Sequence, residues 1–181
     1  MGKTYKLGLL VGRFQALHLG HERMIRDAIA VCGRVAVFIG SSQESGTQKN
    51  PFSYETRERM LKAVFGDAIE VYPLPDAGLG NNRLWGQYVL DRVNAACGRK
   101  PDLFITGREE RRVSWFEDKE DISELVVPKV IEASATQMRE YLARGDEEAW
   151  KALTPCSLHP MFHELRSEVL KSEGNSETQS I

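Results

Sequence analysis

Short runs of consecutive apolar residues alternate along the chain with stretches in which apolar residues recur every three to four positions. The first pattern fits strands buried on both faces, the second amphipathic helices. Leu7 to Val11 is such a run and closes at Gly12. Met24, Ile25, Ala28, Ile29 and Cys32 follow at helical spacing, with Gly33 as a stop. Arg34 to Ile39 predicts a second buried strand, ending at Gly40-Ser41-Ser42. Pro51-Phe52-Ser53 opens a helix whose stripe includes Met60, Leu61, Val64 and Phe65. A third strand runs from Ile69 to Leu74, closed by Pro73 and Pro75, and the Gly- and Asn-rich loop DAGLGNN follows. A helix from about Arg83 to Cys97 then buries Leu84, Trp85, Tyr88, Val89, Val93 and Ala96. Leu103 to Thr106 predicts a fourth strand and Leu125 to Ile131 a fifth, where Pro128 points to an edge or irregular position.

The last part changes character. Ala135 to Arg144 reads as a helix stopped by Gly145, and Asp146 caps a short helix with Trp150 and Leu153. Pro160 begins a third, with Met161, Phe162, Leu165 and Val169 on one face. Residues 171–181 are polar and read as a frayed tail. The strand–helix alternation predicts an α/β fold, a doubly wound parallel sheet followed by C-terminal helices. Residues 1–170 form one domain on this reading, helical from about 135, and 171–181 a tail. Right-handed crossovers place every strand's C-terminal end on one edge, where ligands bind in such sheets. The segments to inspect are Gly12-Arg13-Phe14, Gly40-Ser41-Ser42, Pro75-Asp76 and Thr106-Gly107-Arg108.

Composition narrows the function classes. The chain has 181 residues, enough for an ordinary core without disulfides or structural metals. Twenty-four Lys and Arg against 26 Asp and Glu argue against a nucleic-acid binder, which carries a basic excess. A small anionic ligand held by a few placed cations stays open. Cys32, Cys97 and Cys156 are widely spaced with no CxxC, so neither a zinc knuckle nor a disulfide framework is expected. Cys32 and Cys97 fall on apolar helix faces and read as core. No run is long enough to span a bilayer, and the short LGLLV run is not a signal segment; a soluble cytoplasmic protein without a membrane partner is expected.

The first strand-to-helix turn, GRFQALHLGHERMI, holds the densest chemistry. His18 and His21 sit where a helix begins, and a helix N-terminus offers free N–H groups and a positive dipole end. With Arg13 nearby they make a compact anion site, for which phosphate is the natural occupant. Imidazole donates a hydrogen bond to a phosphoryl oxygen, and a protonated one adds charge. Gly20 allows a ligand close to this helix. Two polar residues capping a helix is the plain alternative, whereas a metal fits poorly without a nearby carboxylate or thiolate. In Ser134-Ala135-Thr136-Gln137-Met138-Arg139, Ser134 and Thr136 can cap a helix from which Arg139 emerges one turn later. That segment alone reads first as an ordinary helix start with a surface Arg. His159 and His163 lack the glutamate of a zinc hydrolase, and Trp115-Phe116 and Trp150 read as packing residues.

HxGH in the first turn together with SxTxxR near the end resembles the nucleotidyltransferase superfamily, whose fold is a Rossmann-like doubly wound sheet. Within it, GRFQ at 12–15, HLGH at 18–21, IGSSQ at 39–43, NPF at 50–52, PLPD at 73–76, NNRLW at 81–85 and SATQMR at 134–139 are similar to the archaeal-type nicotinamide mononucleotide adenylyltransferases. The resemblance covers roughly residues 7–155. It implies transfer of AMP from ATP to nicotinamide mononucleotide, giving NAD and pyrophosphate. His18 and His21 would hold the ATP phosphates and stabilise the pentacovalent α-phosphorus, and Arg139 would bind the β- and γ-phosphates. Gly12, Arg13, Phe14, Gly20, Gly107, Ser134 and Thr136 would complete the ATP site. Ser41, Asp76, Asn82 and Trp85 would face the acceptor, with Trp85 stacking on the nicotinamide ring. Mg2+ would arrive on the ATP phosphates and not in a protein cage. Homo-oligomers are common in this family.

The chain departs from the family pattern at several points. Ala16-Leu17 replaces a Pro-Phe pair, which is expected to loosen that loop. The capping box after NPF is broken, with Thr56 three residues beyond Ser53, while Arg57 matches the family's arginine. Arg83, Arg108, Arg111 and Arg112 lie near the acceptor side; they could favour a more anionic substrate but read first as a solvated face among neighbouring acids such as the Glu117–Asp121 run. Two further functions stay open. One is adenylyl or cytidylyl transfer to another acceptor, such as nicotinate mononucleotide, phosphopantetheine or FMN. The other is a nucleotide-binding regulatory module without catalysis.

Overall fold

The computed structural model describes residues 2–107, 115–116 and 118–178. Five parallel strands form one sheet in the order β3-β2-β1-β4-β5. They are β1 (Tyr5–Gly12), β2 (Cys32–Gly40), β3 (Glu70–Leu74), β4 (Leu103–Thr106) and β5 (Ser123–Val126). The order reverses at β1, which pairs with β2 on one side and β4 on the other. That reversal opens a crevice between the C-terminal ends of β1 and β4.

Alternation along the strands feeds two cores. Leu10, Val35, Val37, Ile39, Leu103 and Ile105 point to one face. Leu7, Leu9, Ala36, Phe38 and Phe104 point to the other. Helices α1 (Leu19–Val31) and α2 (Tyr54–Phe65) cover the first face through Ile25, Ala28, Met60 and Leu61. Helix α3 (Asn82–Cys97) covers the second through Val89, Leu90, Val93 and Cys97. Residues facing both ways are apolar because helices flank both faces, which is why the strands read as continuous apolar runs.

The C-terminal helices join the first core. They are α4 (Ala135–Arg144), α5 (Glu147–Ala152) and α6 (Phe162–Thr178). Trp150 is fully buried against Phe162, and Leu165 and Val169 extend that seam. The Thr56 hydroxyl donates to Glu168 at 2.9 Å, tying the start of α2 to α6. So the residue that breaks the capping box serves an inter-helix bond instead, while Ser53 still caps α2 by accepting from the Thr56 N–H.

Several expected boundaries differ. Cys32 caps the C-terminus of α1, its N–H donating to the Ala28 carbonyl, and already opens β2, so Gly33 lies within the strand; Cys32 is buried there, with Sγ packed against Gly8. β5 ends at Val126, before Pro128, which has no N–H to continue a ladder. On α3, Leu84 is 57% exposed and Ala96 is exposed, while Gly86, Leu90 and Cys97 take the buried positions. Pro160 lies inside a 3-10 segment, Cys156–Met161, and α6 starts two residues later. The helix also continues through Thr178, into the stretch expected to fray. No helix among the described residues is long and apolar enough to cross a membrane.

Candidate active site

The strand ends converge on one cavity of about 730 Å³. β1 delivers Gly12, Arg13 and Phe14; β2 delivers Gly40 and Ser41; β3 is followed by Asp76, and β4 by Gly107. His18, Gly20 and His21 enter from the start of α1, Ser134 and Arg139 from α4, and Trp85 from α3. Two expected site residues stand apart. Thr136 does not line this cavity but bonds the Arg139 guanidinium at 3.2 Å. Asn82 is exposed at the first position of α3 and does not line the cavity; its neighbour Asn81 caps the helix.

His18 is the N-cap of α1, and its Nδ1 accepts from the Gly20 N–H at 3.1 Å. An Nδ1 that accepts leaves the proton of a neutral imidazole on Nε2, which is therefore a donor. A Cβ on Gly20 would lie 3.0 Å from that ring, so the missing side chain makes room for His18 rather than for a ligand. The His18 and His21 rings lie 3.9 Å apart between centroids, and Phe14 packs on His21 at 5.0 Å. Burial, with Lys129 nearby, pushes the His18 imidazole down to about 4. Burial, with His18 beside it, holds His21 well below the ordinary histidine range. Both are neutral near pH 7, so the protonated form considered from sequence is not the form of the free protein. The Nδ1 of His21 is buried without a hydrogen-bond partner among the described residues.

The cations are held by neutral groups. Arg13 donates to the Asn50 side chain at 3.3 Å, and Asn50 is fixed by its N–H bond to the Thr47 hydroxyl. Arg139 donates to the Gln15 carbonyl and to Thr136. Ser134 caps α4 by accepting from the Gln137 N–H at 3.2 Å, which sets the turn from which Arg139 reaches back. The loop carrying Ala16 and Leu17, expected to be loose, is anchored: both side chains are fully buried. Gln15 exchanges two hydrogen bonds of 2.9 Å with the Phe52 backbone.

The same cavity also has aromatic and acidic lining, from Trp85, Trp115, Phe104 and Asp76. Trp85 meets Trp115 edge to face at 6.1 Å, and Trp115 stacks on Phe104 at 5.8 Å. The Tyr88 hydroxyl donates to the Pro75 carbonyl at 3.0 Å, locking α3 to the exit of β3. Gln43 clasps Asp76 by its backbone N–H and its carboxylate. Arg83 pairs with Asp118 at 2.8 Å on the exposed side, as a solvated face would. Arg108, Arg111, Arg112 and Glu117 lie outside the described residues.

Sequence reading missed Lys129, Trp115, Asn50 and Arg57. Lys129 lines the cavity just after β5, and extending that strand to Ile131 hid it from the inspection of strand ends. Trp115 packs as expected, yet it also forms cavity wall. Asn50 stood in the NPF motif without a role. Arg57 is fully buried behind the loops after β1 and β2. Among the described residues no three His, Cys, Asp or Glu gather into a metal site. Asp76 is the one carboxylate among the described cavity-lining residues, so the donor set fits a cation carried by the ligand's own phosphates.

Comparison with known proteins agrees with this architecture. A nicotinamide-nucleotide adenylyltransferase of Thermococcus kodakarensis is 32% identical over 169 residues, covering 89% of this chain and 84% of its own. One from Methanolobus tindarius is 29% identical and covers 86% of each. Among solved structures, a bifunctional NMN adenylyltransferase/ADP ribose pyrophosphatase of Francisella tularensis, complexed with AMP and a manganese ion, superposes with a TM-score of 0.74 at 19% identity, covering 94% of this chain. This chain spans 53% of that protein, so the likeness concerns one part of it. The Cytidylyltransferase-like family model matches residues 9–140, and with these relatives it places the chain in the Cytidylyltransferase-like family of nucleotidyltransferases.

Proposed function

We propose that the protein transfers AMP from ATP to nicotinamide mononucleotide, releasing pyrophosphate and forming NAD. The observation that carries this reading is the convergence of His18, His21, Arg13 and Arg139 on one cavity that Trp85, Trp115 and Asp76 also line. The imidazoles and arginines suit phosphates, and the tryptophans with the Asp76 carboxylate suit a flat, cationic heterocycle such as the pyridinium ring of the mononucleotide. The relatives named for this reaction match over most of the chain.

The chemistry needs little from the protein beyond position and charge. A phosphate oxygen of the mononucleotide attacks the α-phosphorus of ATP, a new P–O bond forms, and the bond from the α-phosphorus to the bridging oxygen breaks. Pyrophosphate leaves with that electron pair. The nucleophile is already an anion, so no strong base is required. His18, with Nδ1 occupied by Gly20, directs its Nε2–H to the oxygens on which charge develops. His21 stands against it as the second imidazole of the same site. Arg13 and Arg139 neutralise the triphosphate, and each exchanges a neutral partner for a charged one when ATP binds. Trp85 stacks on the nicotinamide ring. A divalent cation such as Mg2+, held by the ATP phosphates and not by a protein cage, would supply further charge neutralisation.

Pyrophosphate release with ATP, Mg2+ and nicotinamide mononucleotide tests the reading, with Trp85→Ala as a second arm. The expected result is turnover in the wild type and a raised acceptor KM in the variant.

A further inference from the structure

Arg57 lies outside the machinery just described, yet it is fully buried and fully bonded. Its Nε donates to Ser53 O at 3.1 Å, Nη1 to Arg13 O at 3.2 Å and Gly40 O at 2.9 Å, and Nη2 to Ser41 O at 3.1 Å and Glu44 O at 3.3 Å. One guanidinium thus gathers the exits of β1 and β2 and the cap of α2. Arg13, Gly40 and Ser41 also line the cavity.

Every one of these partners is a neutral carbonyl. No carboxylate lies within ion-pair distance of Arg57 among the described residues, and Glu55 and Asp76 act on it only from farther away. Burial opposes its charge, Arg13 repels it, and it sits in the first turns of a helix, at the positive end of the dipole. Arg13 and Arg139 likewise repel each other, and both bond only neutral groups. Arg13 and Arg139 therefore line the cavity, and Arg57 stands behind it, with no carboxylate bonded to any of the three among the described residues. An unpaired buried charge is costly. A polyanion entering the cavity relieves that cost.

We infer that Arg57 is a positioning residue whose buried charge takes the substrate's phosphates as its counter-charge, acting from behind Arg13 and Ser41. This rests on the reading that the cavity binds phosphates, and it goes beyond it by assigning part of phosphate affinity to a residue no phosphate touches.

The alternative is that Arg57 only clamps carbonyls, a task for which five N–H donors are enough. Two variants separate charge from clamp. Arg57→Met removes both, and Arg57→Lys keeps the charge but not the five donors. Affinities for inorganic pyrophosphate and for adenosine, by calorimetry, supply a readout that does not depend on turnover. Arg57→Met is expected to lose about tenfold or more in pyrophosphate affinity with adenosine within about twofold. Arg57→Lys is expected to melt lower yet bind pyrophosphate within about threefold of the wild type at pH 7. A buried lysine in this place, facing Arg13, Tyr54, Glu55 and Asp76, titrates below its usual range. Its pyrophosphate affinity should then fall between pH 7 and 9.5 more steeply than the wild type's.

Equal losses of pyrophosphate and adenosine in Arg57→Met, or a lysine variant as weak as methionine at pH 7, would overturn the inference. Should Arg57→Met not fold, the pH profile of Arg57→Lys decides: a profile parallel to the wild type's contradicts the counter-charge. Wild-type enzyme that binds pyrophosphate but turns over no nicotinamide mononucleotide defeats the proposed reaction and leaves this inference standing. Wild-type enzyme that does not bind pyrophosphate defeats this inference directly.

Discussion

The imidazoles of His18 and His21 lie 3.9 Å apart between ring centroids, tilted by 30°, at the mouth of helix α1. Two cations at that separation would repel strongly, and burial disfavours charge on either ring. The pair is therefore neutral near pH 7, and on the proposed reading it serves as hydrogen-bond donors until an anion arrives.

His18 caps α1, and on the proposed reading it has a second, separable task, donating to phosphate. Asparagine caps a helix well and alanine does not. His18→Asn should keep the wild-type Tm, while His18→Ala should lose about 1 kcal/mol. Both should lose activity by about a hundredfold or more, because neither places an imidazole N–H at the α-phosphate. Thermal melts beside steady-state kinetics check this. An asparagine variant with near-wild-type turnover contradicts the assigned role.

The same pair sets a pH dependence. His18 falls from an ordinary value of 6.5 to about 4 on folding, and His21 falls well below 6.5. Between those values the unfolded chain binds protons that the folded one does not, so stability rises with pH there. The histidine contribution is intact above pH 6.5 and is lost as pH falls toward 4. His18 alone accounts for a loss on the order of 3 kcal/mol. Urea unfolding between pH 4 and 7 should show that slope, reduced in His18→Asn. A bound polyphosphate raises both values, so its binding should take up protons at pH 5.5 and few at pH 8, measurable from calorimetry in two buffers.

Arg139 reaches the Gln15 carbonyl and Thr136 from one turn into α4. Arg139→Lys keeps charge but loses the planar fork. It should lower kcat/KM for ATP by about tenfold or more and leave the acceptor KM nearly unchanged. Asn50→Ala removes the side-chain oxygen to which Arg13 donates and should raise the ATP KM by a smaller factor, about threefold.

What could be read from sequence was what local periodicity and short motifs encode. β4 and α4 match the expected Leu103–Thr106 and Ala135–Arg144, since sharp stops flank both: Gly107 after one, Gly145 after the other. The doubly wound order follows from alternation, and strand exits from β1 through β4 proved to line the cavity. Contacts distant in sequence were not legible. Nothing local marks Arg57 as the hub of two strand exits, or Asn50 as the partner of Arg13 across 37 residues. Lys129 was hidden because apolar Val130 and Ile131 prolong the strand pattern past a proline that ends it. On α3 the face was misjudged by one step because Gly86, with no apolar signal, holds the closest contact.

That contact gives a sharp test. A Cβ on Gly86 would lie 2.0 Å from the Trp115 carbonyl oxygen, a backbone atom that cannot swing aside. Gly86→Ala should destabilise by at least about 1–3 kcal/mol. It should also raise the acceptor KM, because Trp115 backs Trp85. Trp85→Ala should raise that KM by about tenfold with the ATP KM within about twofold.

The most direct measurement is pyrophosphate release from ATP and Mg2+ with nicotinamide mononucleotide, run beside nicotinate mononucleotide, phosphopantetheine and FMN, with His18→Ala as control. The account predicts turnover strongest with nicotinamide mononucleotide and abolished in the variant. Turnover confined to another acceptor would contradict the reading of Trp85 and Asp76. Tight ATP binding with no turnover on any acceptor would contradict the catalytic role of the His18–His21 pair.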